Sequence, residues 1–357
     1  MDTGMVRVGV VGTGKWANNV HLAAYQDHPL AQVVGVCDIS LKRAQQAAAR
    51  FGAEFATIDY GELIARDDVD AIDVITPNVN HAEVVLAAIG AGKHVMCEKP
   101  MAMNVAEARE MFEAATAANI KAGVNFTWRN AGAARYAKHI VQTGQLGRIY
   151  HVYGSYISDF GRYKEIPLIW RLQKRFAGTG ALGDTGSHII DLVEWITGER
   201  ITRLIADLNT FVKERPLTDG SGVGEVDVDD AVSILARLEG GGMGTLHSTF
   251  YGTAQGMEQK VEIFGEKGAL ALRWQNQQTI SLSVGHFADE NQMLEVPIPE
   301  RFKAPDHQLK RQNIYSFVEA ISQDKKMSPD FQDGLRNQTV IDAVVASARS
   351  GNWVTVL

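Results

Sequence analysis

The stretch that decides the fold of the N-terminal half is Gly9-Val10-Val11-Gly12-Thr13-Gly14-Lys15-Trp16-Ala17. A short apolar run precedes this turn, and a helical pattern follows it. In a G-x-G-x-x-A turn, Gly12 makes the tight bend, Gly14 lets a pyrophosphate approach the backbone, and Ala17 permits close packing of helix on strand. Because a helix N-terminus offers free N–H groups to phosphates, the stretch predicts a dinucleotide-binding turn.

Outward from this turn, short apolar runs alternate with Ala-rich helical stretches. Strands are predicted over residues 6–11, 32–37, 71–75, 94–97 and 122–126, and helices over residues 18–27, 41–51, 82–91 and 105–119. Continuous apolar strands that alternate with helices predict a parallel sheet covered on both faces. We therefore expect an α/β Rossmann domain, with a doubly wound parallel sheet, over residues 1–125.

The pattern changes near residue 126. Strand candidates cover residues 149–158, 201–212, 231–238, 243–251, 260–264, 269–274 and 279–284, and helix candidates cover residues 136–142, 187–196, 313–322 and 334–347. Several strands are joined by short Gly-containing turns, which make antiparallel neighbours. Residues 213–230 are polar and Gly-rich and predict a loop. We expect an α+β domain over residues 126–357, with a large open, mostly antiparallel sheet.

Composition excludes several classes of protein. The 357 residues are 45% hydrophobic and 22% charged, and 35 Lys+Arg against 42 Asp+Glu leave a net charge of −7, which argues against a nucleic-acid partner. No apolar stretch approaches the ~20 residues that span a bilayer, and the N-terminus lacks a secretory signal pattern. Two distant cysteines, Cys37 and Cys97, indicate a reducing cytoplasm. The ten histidines form no H-x-x-x-H pair, so we expect no metal.

Asp38 ends the second predicted strand, where a ribose-binding carboxylate belongs. This position favours a free ribose diol and hence NAD. Lys42 and Arg43 lie close enough to hold a 2′-phosphate, so NADP stays open. A second interpretation of Asp38 is that it caps the following helix beside Ser40.

Several short segments then follow in order. They are Thr76-Pro77-Asn78 with His81, Glu98-Lys99-Pro100, Asn125-Phe126-Thr127-Trp128-Arg129, Trp170-Arg171, the run from Gly180 to His188, and Val261-Glu262-Ile263-Phe264-Gly265. Together with the glycine turn, they resemble the Gfo/Idh/MocA family, the relatives of glucose–fructose oxidoreductase and inositol dehydrogenase. The resemblance covers essentially the whole chain and implies a Rossmann domain followed by a large open sheet. It also implies a homodimer or homotetramer formed through the C-terminal sheet.

The resemblance implies an NAD(P)-dependent oxidoreductase that transfers a hydride between nicotinamide and a carbinol or ketone carbon of a sugar, sugar derivative or inositol-like polyol. Its implied cofactor contacts are Gly12, Thr13, Gly14, Lys15, Trp16, Asp38, Ser40, Arg43, Thr76, Pro77, Asn78, His81, Glu98, Lys99, Trp170 and Arg171. His81 fits equally well as a structural residue of its helix. One departure from the family pattern is Gly178-Thr179-Gly180, where relatives commonly have three glycines.

The implied catalytic residues are Lys99, Asp184 and His188. Lys99 follows a strand at the carboxyl edge of the parallel sheet, where doubly wound folds bind ligands. If a helix begins by Asp184, then Asp184 and His188 share one face, and a carboxylate beside an imidazole makes His188 a credible general base. A helix cap and a buried structural histidine are the alternatives, and Asp191 is a competing partner for His188.

The resemblance divides these roles further. His188 is implied as acid/base, Asp184 as its partner, Lys99 as the group that polarises the reacting oxygen, and Thr185 as a ligand of a substrate hydroxyl. In some relatives the lysine takes more of the acid/base role. Two other functions remain open: a non-catalytic dinucleotide-binding sensor, and a sugar–sugar oxidoreductase that retains its cofactor. The joint presence of Lys99, Asp184 and His188 favours an enzyme.

Overall fold

The computed structural model describes residues 4–163, 165–275, 279–286, 292–303 and 309–357. Their contacts define two units, one made of Met1–Thr127 with Asp306–Arg336 and the other of Trp128–Pro305 with Asn337–Leu357. The expected division into residues 1–125 and 126–357 differs from these units at residues 306–336. These residues pack with the N-terminal unit because Ile314, Phe317 and Val318 are buried in the same core as its first strand.

The first unit is built on a six-stranded sheet. Its strands are β1 (Val6–Val11), β2 (Ala31–Cys37), β3 (Phe55–Thr57), β4 (Ala71–Val74), β5 (His94–Cys97) and β6 (Ala122–Val124). The spatial order is β3-β2-β1-β4-β5-β6, and every pair is parallel. This is the order of a doubly wound nucleotide-binding sheet, so the predicted Rossmann fold is confirmed.

Helices cover both faces of this sheet, because its central strands are mostly apolar and are buried in two core clusters. They are α1 (Leu22–Asp27), α2 (Leu41–Phe51), α3 (Tyr60–Ile64), α4 (His81–Gly90), α5 (Val105–Ala117) and, later in the chain, α9 (Gln312–Ser322). A π-helical turn over Ala17–His21 precedes α1. Gly52 ends α2 in the left-handed conformation that glycine adopts readily.

The second unit contains a nine-stranded sheet. Its strands are β7 (Ile149–Ile157), β8 (Ile201–Asn209), β11 (Ala231–Leu238), β12 (Met243–Thr249), β13 (Glu258–Gly265), β14 (Gly268–Gln275), β15 (Thr279–His286), β16 (Leu294–Glu295) and β17 (Val354–Thr355). The order is β16-β15-β14-β13-β7-β12-β11-β8-β17. Among the paired strands that the structure describes, only β7 and β12 run parallel. The expected large, mostly antiparallel sheet is confirmed.

Helices pack on one face of the large sheet. They are α6 (Gly132–Gln142) and α8 (Ser187–Thr197). The second unit also contains the short α7 (Lys174–Ala177), and α10 (Phe331–Ser350) begins among residues of the first unit and continues among those of the second. Gly154 of β7 lets α8 approach, because a Cβ atom there would lie 3.0 Å from Ile189 and 3.2 Å from Val193. On the opposite face, Tyr153 and Leu235 are about half exposed. The large sheet thus keeps one open face with exposed apolar side chains.

The predicted loop over residues 213–230 is wrong in part, because it contains the two-stranded sheet of β9 (Glu214–Pro216) and β10 (Val223–Glu225). Arg215 anchors this hairpin. Its buried guanidinium donates hydrogen bonds to the carbonyl of Gly161 at 2.8 Å and to the hydroxyl of Tyr251 at 2.9 Å. Leu168 packs beneath the same segment in a small apolar cluster. Within the described ranges, no helix is long and apolar enough to cross a membrane.

Candidate functional site

The glycine turn has the geometry that a phosphate-binding loop needs. Gly12 adopts a φ of +98°, and a Cβ atom there would lie 2.4 Å from the carbonyl oxygen of Ile75. Its amide donates a hydrogen bond of 2.8 Å to Cys37, which ties the turn to the end of β2. Around the Cβ position of Gly14, no described neighbour lies within 4 Å. The turn is therefore closed beneath Gly12 and open above Gly14, while Ala17 is fully buried.

Asp38 is a buried carboxylate with four surrounding donor groups. One oxygen accepts hydrogen bonds from the amide of Thr13 at 3.0 Å and from its hydroxyl at 2.8 Å. The other oxygen accepts from the amide of Ser40 at 2.9 Å and from the guanidinium of Arg43 at 2.6 Å. Burial opposes ionisation, but Arg43 and the other donors outweigh it and hold the pKa of Asp38 below its ordinary value. The cap of α2 is Ser40, whose hydroxyl accepts from the Arg43 amide.

The loop after β4 contributes a polar atom with no partner. The Thr76 hydroxyl is buried and has no hydrogen-bond partner among the residues that the structure describes. Pro77 begins the turn that leads into α4, and Asn78 is buried there. The fully buried His81 ring lies 3.1 Å from the Thr76 carbonyl and 3.0 Å from the Pro100 carbonyl. The His81 ring therefore links the loop after β4 to the loop after β5.

Glu98, directly after β5, is the centre of a buried polar network. One of its carboxylate oxygens lies within hydrogen-bond distance of the indole N–H of Trp16 at 2.8 Å, the ring of His21 at 2.9 Å and the amide of Asn125 at 2.6 Å. Asn125 in turn accepts a hydrogen bond of 3.1 Å from Asn313 of α9. The network joins the glycine turn to the ends of β5 and β6.

Charge stabilises this network. His21 is fully buried, and its other ring nitrogen lies 2.8 Å from Asp73 of β4. Burial alone would lower the pKa of His21, but Asp73 and Glu98 outweigh it and raise that pKa to about 10. Burial alone would raise the pKa of Glu98, but His21, Lys99 and Asn125 hold it far below its ordinary value. Glu98 is therefore an ionised carboxylate in the protein interior.

Lys99 lies next to this carboxylate at the carboxyl edge of the sheet. Its backbone amide donates a hydrogen bond of 3.1 Å to the second oxygen of Glu98, and the peptide bond to Pro100 is cis. The side chain is half-buried. Within the first unit, the structure thus brings together the predicted residues Trp16, Glu98 and Lys99. Lys15 is exposed at the start of the first helical turn.

In the second unit, Asp184 and His188 lie on one continuous helical segment. A π-helical turn over Leu182–Gly186 runs directly into α8, so the helix includes Asp184, as the spacing argument required. Asp184 is half-buried and His188 is buried. The ring of Tyr156 on β7 lies 6.0 Å from the ring of His188. The ring of Trp128 lies 6.5 Å from it, so His188 sits in an aromatic corner.

The charge of Asp184 also acts on the hydroxyl of Tyr156. Burial raises the pKa of the Tyr156 hydroxyl, and the charge of Asp184 raises it further. The hydroxyl lies 3.7 Å from the sulfur of Met257, which is a weak acceptor. Tyr156 thus places a neutral O–H group beside the residues that the sequence singled out.

Thr185 is engaged inside its own unit. Its hydroxyl donates to the carbonyl of Ala181 at 3.0 Å and lies 2.5 Å from the hydroxyl of Ser248 on β12. Thr185 is buried, and the bond to Ser248 holds the π-helical turn against the large sheet. A substrate hydroxyl at this position would meet two coupled side-chain hydroxyls rather than one.

The loop that departs from the family pattern is held by Asp229. Its carboxylate accepts hydrogen bonds of 2.7 Å from the amides of Gly180 and Leu182. A Cβ atom on Gly180 would lie 1.9 Å from the carbonyl oxygen of Asp229, and Gly178 has a φ of +76°. Thr179 is half-exposed between them. The two retained glycines are therefore the ones that the backbone requires, and Thr179 is tolerated.

Trp170 and Arg171 form a short 3₁₀-helical turn in the second unit. The Arg171 guanidinium lies 4.3 Å from the centroid of the Trp170 ring, and both side chains are half-exposed. Leu172 is buried and anchors the turn. The pair is thus a preformed cation–π stack on a surface turn.

Asp191 forms an ion pair with Arg129. Its two carboxylate oxygens lie 2.9 Å and 3.1 Å from the Nε atom of Arg129, and both side chains are buried. The Arg129 guanidinium also lies 5.7 Å from the ring of Trp195. This pairing neutralises Asp191, and it makes Asp184 the better candidate to orient His188.

Sequence reasoning missed several residues of these two sites. They are His21, Asp73, Tyr156, Ser248 and Asp229. One signal was available for Asp73, because an aspartate inside the apolar strand Ala71–Val74 must find a buried partner. The other residues carried no such signal, since their partners come from distant strands.

Both halves of the chain are similar to known proteins. Residues 6–126 match the family model described as an oxidoreductase family with an NAD-binding Rossmann fold, and residues 134–271 match the GFO/IDH/MocA C-terminal domain. The chain is 31% identical to levoglucosan dehydrogenase of Pseudarthrobacter phenanthrenivorans, over 98% of each chain.

The chain belongs to the Gfo/Idh/MocA family. Among solved structures, the oxidoreductase domain protein from Kribbella flavida is similar with a TM-score of 0.90 and 34% identity over 99% of each chain. Levoglucosan dehydrogenase in complex with NADH and levoglucosan is similar with a TM-score of 0.89 and 32% identity, over 98% of this chain and 99% of that one. These relatives share both units of this Gfo/Idh/MocA oxidoreductase.

The residues of the first unit fit NAD. The open space above Gly14 leaves room for a pyrophosphate, the buried Thr76 hydroxyl has no partner among the described residues, and Asp38 follows β2, where doubly wound folds place a ribose-binding carboxylate. Arg43 is held by Asp38, which favours NAD over a cofactor carrying a 2′-phosphate. Throughout the part of the chain that the structure describes, no cluster of three or more His, Cys, Asp or Glu side chains suits a metal ion. This Gfo/Idh/MocA protein has an NAD-binding Rossmann domain.

Proposed function

We propose that this oxidoreductase is an NAD-dependent dehydrogenase of a sugar, sugar derivative or inositol-like polyol, acting on one carbinol carbon or on the corresponding ketone. The observation that carries the proposal is the similarity over nearly the whole length to levoglucosan dehydrogenase, a sugar dehydrogenase by name. The buried Glu98 beside Lys99, and the helix that carries Asp184 and His188, supply the groups that such a reaction needs.

Each group has a definite task. The Lys99 ammonium donates a hydrogen bond to the reacting oxygen and stabilises negative charge on it during oxidation. His188 removes the hydroxyl proton, and Asp184 orients the imidazole and stabilises its charged form. When bound, the nicotinamide accepts the hydride or returns it. In the reverse direction, the same two side chains donate to the carbonyl oxygen and return the proton.

Substrate selection belongs to the second unit. Thr185 and its partner Ser248 offer two coupled hydroxyls, and Tyr156 adds a phenol beside His188. A polyhydroxylated ring presents alternating donors and acceptors, so these hydroxyl groups suit it better than an apolar ketone. We assign Thr185 and Tyr156 to the substrate.

The first test is a screen of sugars, anhydrosugars and cyclic polyols with NAD and with NADP, followed through the absorbance of the reduced nicotinamide. We expect turnover of at least one compound, with NAD preferred. Binding of NAD without turnover on a broad panel would instead support a dinucleotide-binding sensor. Cofactor that copurifies and never exchanges would support a sugar–sugar oxidoreductase.

The second test assigns the roles. Lys99→Ala and His188→Ala should each lower kcat at least tenfold, or about 1.4 kcal/mol in the barrier, while the affinity for NAD stays nearly the same. Matched controls are Lys267→Ala, in the turn between β13 and β14, and His286→Ala, at the exposed end of β15. Unchanged kcat in both active-site variants rejects the assignment.

We also propose that the open face of the large sheet forms a homodimer or homotetramer. Exposed apolar side chains on that face, which include Tyr153, Leu235 and Met243, fit a second copy of the same chain. Sedimentation should show an oligomer for the wild-type protein and a smaller species for Leu235→Glu. A wild-type monomer at micromolar concentration contradicts this arrangement.

We further propose that the protein works in the cytoplasm. Cys37 and Cys97 are free and buried, and burial raises the pKa of the Cys37 thiol to about 12. Titration with a thiol reagent should find two thiols after unfolding and none in the folded protein. A disulfide in protein purified under oxidising conditions argues against it.

A further inference from the structure

His21 is a fully buried histidine that the chemistry proposed above does not use. It ends the π-helical turn that follows the glycine turn, and each of its ring nitrogens faces a carboxylate. Asp73 lies 2.8 Å from one nitrogen, and Glu98 lies 2.9 Å from the other. The side chains of His21 and Asp73 have no solvent exposure.

The amide nitrogen of Asn125 lies 3.2 Å from the ring nitrogen that faces Glu98, but it is closer to the Glu98 oxygen, to which it donates at 2.6 Å. The two facing carboxylates therefore favour a proton on each ring nitrogen. A neutral imidazole carries one N–H group and one lone pair, so it satisfies only one carboxylate and turns a lone pair toward the other. Two buried carboxylates around a neutral ring would also leave two uncompensated charges in the interior. A doubly protonated His21 donates to both Asp73 and Glu98. It changes the net charge of these three side chains from minus two to minus one.

The carboxylate of Glu98 links His21 to residues of the candidate cofactor site. Besides His21, it accepts hydrogen bonds from the Trp16 indole on the glycine turn, from the Asn125 amide and from the backbone amide of Lys99. Trp16 and Lys99 are the two flanks between which we place the nicotinamide end of the cofactor. If Glu98 became protonated or rotated, its hydrogen bonds with the Trp16 indole and with the backbone amide of Lys99 would both be disturbed.

We propose that His21 is a positioning residue of the reaction, a permanent imidazolium clamped between Asp73 and Glu98 that keeps Glu98 ionised and thereby fixes Trp16 and Lys99. The proposal deepens the proposed function, because its catalytic consequence rests on the role of Lys99. The state of the ring itself does not rest on that role and is measurable in the protein without substrate.

Other charged groups act on this cluster from the neighbouring elements. The carboxylates of Asp73 and Glu98 favour the charged ring, and its burial opposes that charge. The charge of Lys99 favours ionised Glu98. Tyr25 and Cys97 are further titratable groups near the two carboxylates within the described residues, and both are buried and neutral. Burial raises the pKa of each, and the charge of the nearby carboxylates raises it further.

The direct test is nitrogen NMR of the histidine rings in the wild-type protein without substrate. At about pH 8, well above the ordinary histidine pKa, we expect both ring nitrogens of His21 to carry protons. His94 is the matched reference, because it lies at the opposite end of β5 and burial lowers its pKa. It should be neutral in the same spectrum. A His21 ring with a single proton at this pH overturns the proposal.

The catalytic consequence is tested by His21→Gln. A glutamine amide can donate to one carboxylate but turns an oxygen toward the other, and it carries no charge. Burial should then raise the pKa of Glu98. We expect kcat to fall at least about tenfold and the acid limb of the pH–kcat profile to move toward neutral pH. His94→Gln should leave both unchanged.

A purely structural role predicts something different. It would lower stability and kcat by the same factor at every pH, with no displacement of the acid limb, and that result contradicts the proposal. If His21→Gln does not fold, His21→Gln/Glu98→Gln provides the second variant, since it removes the buried negative charge along with the imidazolium. We expect this pair to fold and to show no acid limb from residue 98.

Failure of this inference and failure of the proposed function are distinguishable. If no sugar or polyol is oxidised but His21 carries two protons at about pH 8, the clamp stands and the substrate assignment fails. If turnover is found and the ring carries one proton, the dehydrogenase stands and the clamp fails.

Discussion

At the scale of single residues, we propose that Asp38 sets a preference for NAD over NADP. Its carboxylate holds the Thr13 hydroxyl on one side and the Arg43 guanidinium on the other. The ion pair keeps Arg43 from meeting a 2′-phosphate. Preference for NAD therefore depends on one buried carboxylate and on the arginine that it holds.

Replacement of that carboxylate should change the preference. In Asp38→Ser, Arg43 is released and an acidic group is removed from the ribose position, so the ratio of kcat/KM for NAD to that for NADP should fall at least tenfold, about 1.4 kcal/mol. Steady-state kinetics with both cofactors measure this. The gain with NADP should vanish in Asp38→Ser/Arg43→Ala. An unchanged ratio in the single variant shows that Arg43 does not reach the 2′ position.

The positions of Gly12, Gly14 and Asp38 at the ends of β1 and β2 could be predicted from the sequence, because a strand, a turn and a helix follow one another within short segments. The partners of Glu98 could not. His21 reaches Glu98 through a π-helical turn, and Asp73 comes from a strand that is adjacent only in space. No pattern of period 2 or 3.6 reports such contacts.

At the scale of elements, the helical segment from Leu182 to Thr197 carries the proposed acid/base pair, and its start is held by Asp229. A methyl group at residue 180 would collide with the Asp229 carbonyl, since the Cβ position lies 1.9 Å from that oxygen. The neighbouring Thr179 is half-exposed.

Gly180→Ala should therefore displace the start of this segment. We expect a loss of about 1–3 kcal/mol in the free energy of unfolding, typical of overpacking, together with a lower kcat. The matched control is Thr179→Ala, which should stay within about 0.5 kcal/mol of the wild type. Chemical denaturation measures both variants. Equal stability of the two would show that the loop relaxes around residue 180.

Asp191 of the same helix forms its ion pair with Arg129, which lies in the short helical turn Thr127–Asn130. Asp191→Asn leaves a buried guanidinium without its counter-charge, so we expect a loss of about 3–5 kcal/mol in the free energy of unfolding. The double variant Arg129→Met/Asp191→Leu should recover most of that loss. If Asp191→Asn kept its stability and lost activity alone, Asp191 rather than Asp184 would be the partner of His188.

Long elements were predictable and short ones were not. The helices α2, α5 and α8 and the long strands of the large sheet have enough residues for a periodic pattern, and their predicted positions agree with the structure within a few residues. The strands β3, β9 and β10 have three residues each. Such segments become strands only because a neighbouring strand is already in place.

At the scale of the whole molecule, each of the two units is made of two separate segments of the chain. Residues 309–336 return to the first unit, where Ile314 and Phe317 are fully buried beside β1. The pattern of an amphipathic helix indicates that one face is buried, but it does not indicate which sheet covers that face. The two fold classes were predictable from the sequence, whereas the return of these residues to the first unit was not.

The buried cluster should also shape the pH dependence of stability. The pKa of His21 is about 10 in the folded protein and near its ordinary 6.5 after unfolding. Its contribution is therefore fully present below pH 6.5 and is lost as pH rises through 10. The difference in unfolding free energy between the wild type and His21→Gln should shrink steadily across this range. A difference that stays constant with pH contradicts a charged His21.

The central claim is that a carbinol carbon of a sugar or polyol gives its hydride to NAD on this protein. The most direct measurement uses a substrate from the screen with deuterium on the reacting carbon and follows the label by mass spectrometry and NMR. We expect deuterium at C4 of the nicotinamide, and a rate of transfer at least tenfold lower in Lys99→Ala, about 1.4 kcal/mol in the barrier. Deuterium found in the solvent, with none on the nicotinamide, would contradict it.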